Sequence, residues 1–213
     1  MDDDRVDQSN SESLNKINPG KTATVGFFAF LLDLVKTFVV VMLIAFAIRY
    51  FVIQPFVVDG DSMLPTFINN EYLIAEKISY DFKQPNRGDV VIFRYPKNPS
   101  IIYIKRVIGL SGETVNIKDN KVMVSKNAEG PFEQLEENYI SPGTRTSIYS
   151  NEINTEDFKL TLKADEFFVL GDNRDHSSDS REWGVLPKSN IIGKVWLTVT
   201  PLDRFKLWGP ERY

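Results

Sequence analysis

Residues 26–53 run GFFAFLLDLVKTFVVVMLIAFAIRYFVI, and this apolar segment limits the possible architectures more than any other part of the chain. Its clean core between Lys36 and Arg49 is residues 37–48, short of the roughly 20 apolar residues that a bilayer demands. A cleaved secretory signal fits poorly, because the run lies far from Met1 and no small-residue cleavage site follows it. A buried helix of a soluble domain remains open. A membrane span of about 20 residues over 34–53 fits best. Lys36 and Arg49 then lie near the two interfaces, where long basic side chains lift their charge into the headgroups. Tyr50 and Phe51 suit the aromatic belt. Arg5, Lys16, Lys21 and Lys36 precede the centre of the span, and after Arg49 no basic residue occurs until Lys77. That bias places the amino-terminal tail in the cytoplasm and the larger carboxy-terminal part outside.

The rest of the 213 residues divides around this segment. Residues 1–25 are polar, carry a Pro19-Gly20 break and show no period, so they read as a disordered cytoplasmic tail. Residues 26–53 are the transmembrane helix. Residues 54–213 read as an extracytoplasmic domain of short strands rich in β-branched and aromatic residues, centred on 73–75, 90–93, 101–108, 114–117, 122–124, 167–170 and 195–199. Turn residues such as Asn86-Arg87-Gly88-Asp89 and Gly171-Asp172-Asn173 separate them. The expected fold is mainly β, antiparallel and barrel-like, with one preceding transmembrane helix. Residues 127–163 are polar and poorly patterned, and read as an inserted lobe.

Composition removes whole classes of chemistry. The chain has no cysteine and a single histidine, His176, so disulfides, thiol nucleophiles, zinc-thiolate sites and His-rich metal sites are excluded. A net charge of −4 gives no footprint for nucleic acid. A Ser-His-Asp triad would need His176, which stands in a loop dense with Asp and Arg and reads as a solvated residue. Asp172, Asp175 and Asp179 do not match the spacing of a calcium loop, and Asp–Arg pairing explains them better.

The strand 101–108 is the strongest chemical signal. Alternation sets Lys105 on one face and Arg106 on the other, both among apolar neighbours. A buried cation costs stability unless it is paired or used. Burial disfavours the charged form, so Lys105 would titrate below the ordinary value of about 10.4 and could serve as a general base. A structural ion pair or an edge-guarding lysine is the bland alternative. Ser62, bracketed by Gly60 and Pro65, stands on a turn exposed enough to attack a carbonyl; most such serines only cap or turn.

Four ordered clusters together resemble bacterial type I signal peptidases, membrane-anchored serine proteases with a Ser/Lys dyad. Gly60-Asp61-Ser62-Met63-Leu64-Pro65-Thr66 matches the nucleophile box, Gly88-Asp89-Val90-Val91 a structural box, Tyr103-Ile104-Lys105-Arg106 the general-base box, and the run from Gly171 to Arg181 the final box. The resemblance implies Ser62 as nucleophile, Lys105 as base, Ser177 as the group orienting the lysine, and Asp179 and Arg181 as supporting contacts. Some relatives carry a serine where this chain has Gly60, so the oxyanion donors expected here are backbone N–H groups, at Ser62 and at Gly60. The resemblance further implies a monomer in the bacterial inner membrane, single-pass, that cleaves signal peptides from exported preproteins after small residues, in the Ala-x-Ala manner. It needs no cofactor and no metal; its partners are preproteins and the lipid bilayer, with no nucleic acid. Phe56, Val58, Met63, Phe67, Tyr103 and Ile104 flank the dyad and supply apolar walls for such a pocket. A self-cleaving repressor shares the chemistry but needs a DNA-binding helical domain where this chain has its apolar segment. A catalytically silent, membrane-anchored β module is the other rival.

Overall fold

In a computed structural model of the chain, residues 19–148 and 157–209 are described. They fall into two compact units that divide between Ala47 and Ile48. The first is helix α1, Pro19–Ala47. It starts earlier than the apolar run, at a proline, whose missing N–H costs nothing in a first turn and whose fixed φ suits one. Of the tail expected over 1–25, residues 1–18 therefore lie outside the described residues and 19–25 are helical. The helical stretch Gly26–Val52 has 27 residues, none buried, and is long and apolar enough to cross a bilayer. At 1.5 Å per residue it spans about 40 Å. In its first half, Lys36 Nζ stands 3.3 Å from Asp33 Oδ1, one helical turn away. The last turn, Ile48–Val52, is π-helical, and Ile53 already belongs to a strand.

The second unit is an antiparallel β domain. Its strands are β1 (Ile53–Val57), β2 (Tyr72–Glu76), β3 (Val90–Tyr95), β4 (Asn98–Gly109), β5 (Thr114–Lys118), β6 (Lys121–Ser125), β7 (Glu133–Gln134), β8 (Asp157–Thr161), β9 (Glu166–Leu170), β10 (Leu186–Pro187), β11 (Ile191–Thr200) and β12 (Lys206–Leu207). Only short helices interrupt them, among them α2 (Ser79–Phe82) and α3 (Ser180–Trp183). The larger sheet runs β1-β2-β11-β3-β4-β9-β10, with β12 added against β11; a second, four-stranded sheet runs β7-β6-β5-β8. The larger sheet is an open path, with no pairing between β1 and β10 among the described residues.

The run Val90-Val91-Ile92-Phe93 is continuously apolar because β3 is buried on both faces. Val90 and Ile92 join one core with Val58, Met63, Phe67, Leu73, Ala75 and Val195. Val91 and Phe93 join another with Val107, Phe167, Val169 and Trp183. Strand β9 works the same way: Phe167 and Val169 face that second core, while Phe168 and Leu170 pack into the core of the smaller sheet. The two sheets are thus welded through β9. Strand β4 lies between β3 and β9, with Lys105 opposite Val91 and Arg106 opposite both Val90 and Leu170. The lobe differs from its expected outline: its sheet opens at β5, before residue 127, and closes with β8. Between them, residues 149–156 lie outside the described residues.

Candidate active site

Strand β4 carries the two cations that alternation places on opposite faces, and the structure resolves each differently. Arg106, 1% exposed, forms a bidentate pair with Asp172, at 2.8 Å from Nε to Oδ1 and 2.6 Å from Nη2 to Oδ2. Its Nη1 donates to Gly88 O at 3.0 Å, and Thr66 Oγ1 donates to the same carboxylate. That cation is structural and fully compensated. Lys105, 3% exposed, has no carboxylate in contact among the described residues; its Nζ donates to Ile104 O at 2.9 Å and lies 2.7 Å from Ser62 Oγ. Burial pushes its ammonium down to about 8, against the pull of Asp179 and Asp172, which favour the charge. Near neutral pH a usable fraction of Lys105 is therefore the free amine. In that form the contact reverses, and the hydroxyl donates to the nitrogen lone pair.

The loop that carries Ser62 holds it half-buried at the edge of a cavity. Gly60 has φ of +93°, a left-handed conformation that a side chain would strain. A turn follows, with Leu64 N–H donating to Asp61 O at 3.1 Å. The Ser62 N–H at its crest has no hydrogen-bond partner among the described residues and is free to meet an oxyanion. Gly60 is a correction to the expectation: its N–H already donates to Asn69 Oδ1 at 3.0 Å, so it is spent on holding the loop.

The segment from Gly171 to Arg181 clasps this loop from the other side. Asn173 N–H donates to Ser62 O at 3.0 Å and its Nδ2 to Asp61 O at 3.0 Å. Gly171 is needed for the close approach, since a Cβ there would stand 2.5 Å from Ser62 O and 2.1 Å from Ser177 Oγ. Asp179 and Arg181 pair with each other at 2.8 Å, both fully buried side chains. Asp179 also caps α3 and accepts from Gly171 N–H at 3.1 Å. Ser177 departs from expectation. Its hydroxyl is buried against Gly171 with no hydrogen-bond partner, and it makes no bond to Lys105, whose amine is occupied by Ile104 O and Ser62 Oγ. His176 is exposed and makes no bond to Ser62; it stands at the rim of the adjoining cavity.

That cavity, about 460 Å³, opens beside Ser62 and Lys105. Phe56, Val58, Tyr103 and Ile104 line it, as the sequence suggested. Met63 and Phe67 do not. Both point inward from the nucleophile loop and are 1% and 0% exposed in the core beneath it. Leu73 of β2 and Ile92 of β3 line the wall in addition. Sequence reasoning gave Thr66 and Asn173 no role in the site, and read Asp172 only as one member of Asp–Arg pairing in its loop. A second cation on an apolar strand, Arg106, was the available signal for Asp172.

A family model described as signal peptidase, peptidase S26, matches residues 31–200. A signal peptidase I of Leptolyngbya laminosa is 38% identical over 187 residues, covering 84% of this chain and 85% of the relative. The signal peptidase I of Pseudomonas aeruginosa is 32% identical over 230 residues, covering 87% and 79%. A crystal structure of a signal peptidase I from Enterococcus faecalis aligns at 30% identity with a TM-score of 0.40, covering 53% of this chain and 97% of that one. With the hydroxyl–amine pair inside the matched region, and the match running over most of its length, the chain belongs to the signal peptidase family, peptidase S26.

Proposed function

We propose that this signal peptidase cleaves preproteins through an acyl-enzyme formed by Ser62 with Lys105 as general base. The observation that carries the reading is the 2.7 Å approach of a buried amine, titrating near 8, to a serine hydroxyl at the edge of an apolar cavity. Neutral Lys105 takes the Ser62 proton as the oxygen attacks the scissile carbonyl. The free Ser62 N–H meets the developing oxyanion, a contribution of about 3 kcal/mol per donor. Lys105 then returns the proton to the leaving amine and later activates the water that hydrolyses the ester. Ser177 has the unspent buried hydroxyl that can take up the lysine amine once Ser62 Oγ has moved onto substrate; catalytic hydrogen bonds commonly tighten only in the complex. Asp179 and Arg181 hold the backbone that carries Ser177.

Specificity follows from the walls. Phe56, Leu73, Ile92 and Ile104 line the cavity with bulky apolar side chains, which favours small substrate side chains such as the alanines of an Ala-x-Ala site. An exposed apolar helix that ends before β1 anchors the enzyme as a monomer in the bacterial inner membrane, with the basic bias before its centre holding the amino terminus in the cytoplasm. Nine residues from Ile53 to Ser62 reach no further than about 30 Å. The site thus stays near the membrane surface, where the apolar part of a signal peptide also resides.

Ser62→Ala tests the mechanism directly. The variant folds with an unchanged melting temperature and loses all cleavage of a labelled preprotein in detergent. Retained cleavage removes Ser62 from the chemistry.

A further inference from the structure

Three buried arginines surround the dyad's supporting loop, and each reaches into one short segment of the lobe, residues 137–147. Arg106 stacks its guanidinium 4.0 Å over the Tyr139 ring. Arg181 Nη1 donates to Ser147 O at 3.0 Å. Arg174, 0% exposed, makes the fullest connection: Nη1 donates to Glu137 Oε2 at 2.9 Å and to Thr146 Oγ1 at 2.6 Å, while Nη2 donates to Glu137 Oε1. The Glu137 carboxylate is itself 9% exposed and takes a further bond from Tyr139 Oη at 2.6 Å.

At its other end Arg174 grips the catalytic loop. Its Nε donates to Gly171 O at 3.0 Å, and its own carbonyl accepts from Arg181 Nη2 at 2.7 Å. Gly171 abuts Ser62 O and Ser177, and the neighbouring Asn173 N–H binds Ser62 O. A continuous chain of contacts therefore runs from Glu137 through Arg174 and Gly171 to the backbone of Ser62. A buried guanidinium needs a carboxylate partner, and removing that partner leaves its charge uncompensated, which strains the contacts it holds.

We infer that Glu137 is a positioning residue: through Arg174 it fixes the Gly171–Ser177 backbone against the nucleophile loop, so that the lobe braces the reacting hydroxyl and amine. This rests on the Ser62–Lys105 reading above. Glu137 touches no reacting atom, and its effect falls on the alignment of Ser62 and not on the apolar walls. A misplacement on the order of 1 Å costs about 100-fold in rate. Truncating Glu137 therefore lowers kcat and leaves KM nearly unchanged.

The test uses the full chain in detergent with a labelled preprotein, far below the melting temperature of each variant. Glu137→Gln keeps size and one acceptor but removes the charge; Glu137→Asp keeps the charge; Ser62→Ala is the control. The expected result is a kcat lower by about tenfold or more in Glu137→Gln, KM within about twofold, and a kcat in Glu137→Asp closer to the parent. A Glu137→Gln enzyme that melts lower but keeps kcat overturns the inference and leaves the lobe as a stabilising element only. So does a Glu137→Asp enzyme slower than Glu137→Gln. If Ser62→Ala stays active, the dyad reading fails instead, and the two failures are told apart.

Discussion

An amine buried as deeply as Lys105 burdens the folded state whenever it is protonated. Its pKa falls from 10.5 to about 8 on folding, chiefly through desolvation. Below pH 8 both folded and unfolded chains hold the proton, and the full penalty applies, on the order of 3 kcal/mol at 1.36 kcal/mol per pH unit. Between 8 and 10.5 the unfolded chain holds a proton that the folded one lacks, so stability rises with pH; above 10.5 the penalty is gone. Lys105→Met should therefore be more stable than its parent at pH 7, with a gain that shrinks between pH 8 and 10.5. Urea midpoints at a series of pH values would check this, and a pH-independent gain would contradict it. Under the proposed mechanism the same titration governs activity. Only the neutral amine can accept the Ser62 proton, so kcat/KM of the parent rises about tenfold per pH unit before levelling near pH 8, and Lys105→Met is inactive throughout.

At the scale of elements, β4 sets an apolar strand with two cations between the nucleophile loop and the final box. Neutralising Asp172 as Asn leaves Arg106 buried with a lost partner, at a cost of about 3–5 kcal/mol. It also removes a negative charge that favours the Lys105 ammonium, so the acidic limb of the rate profile moves to lower pH. A denaturation midpoint and a pH–rate profile read the two effects separately; a limb that moves upward would contradict the electrostatics. Much of this was legible beforehand, because Lys105 and Arg106 on an apolar strand announce that each must be paired or used. Period-2 and continuous apolar runs likewise marked β3, β5, β6 and β9. The rest was hidden for physical reasons. Met63 and Phe67 lie in a loop, where no period tells inward from outward, and they turned into the core. Strand β8 reads Asp-Phe-Lys-Leu-Thr, an alternation with only two apolar residues that does not stand out from its polar surroundings. Glu137 gains meaning only when tertiary packing brings Arg174 to it.

At the scale of the whole molecule, the division at Ala47 separates an apolar helix from a β domain with its own cores. None of the residues in those cores comes from the helix, so the domain has the contacts to fold without it. What the helix supplies under the proposed function is residence at the membrane, shared with a substrate whose apolar segment partitions there too. Confining both partners to one surface raises effective concentration by about 100-fold or more without any new contact. A chain starting at Ile48 should thus cleave a short, water-soluble Ala-x-Ala peptide with a kcat/KM close to that of the full enzyme. Toward a preprotein in lipid vesicles it should lose on the order of 100-fold. Measuring both substrates with both proteins separates the possibilities. Equal loss on the two substrates would mean that the helix supports the fold of the site, and no loss on either would mean that tethering contributes nothing to processing.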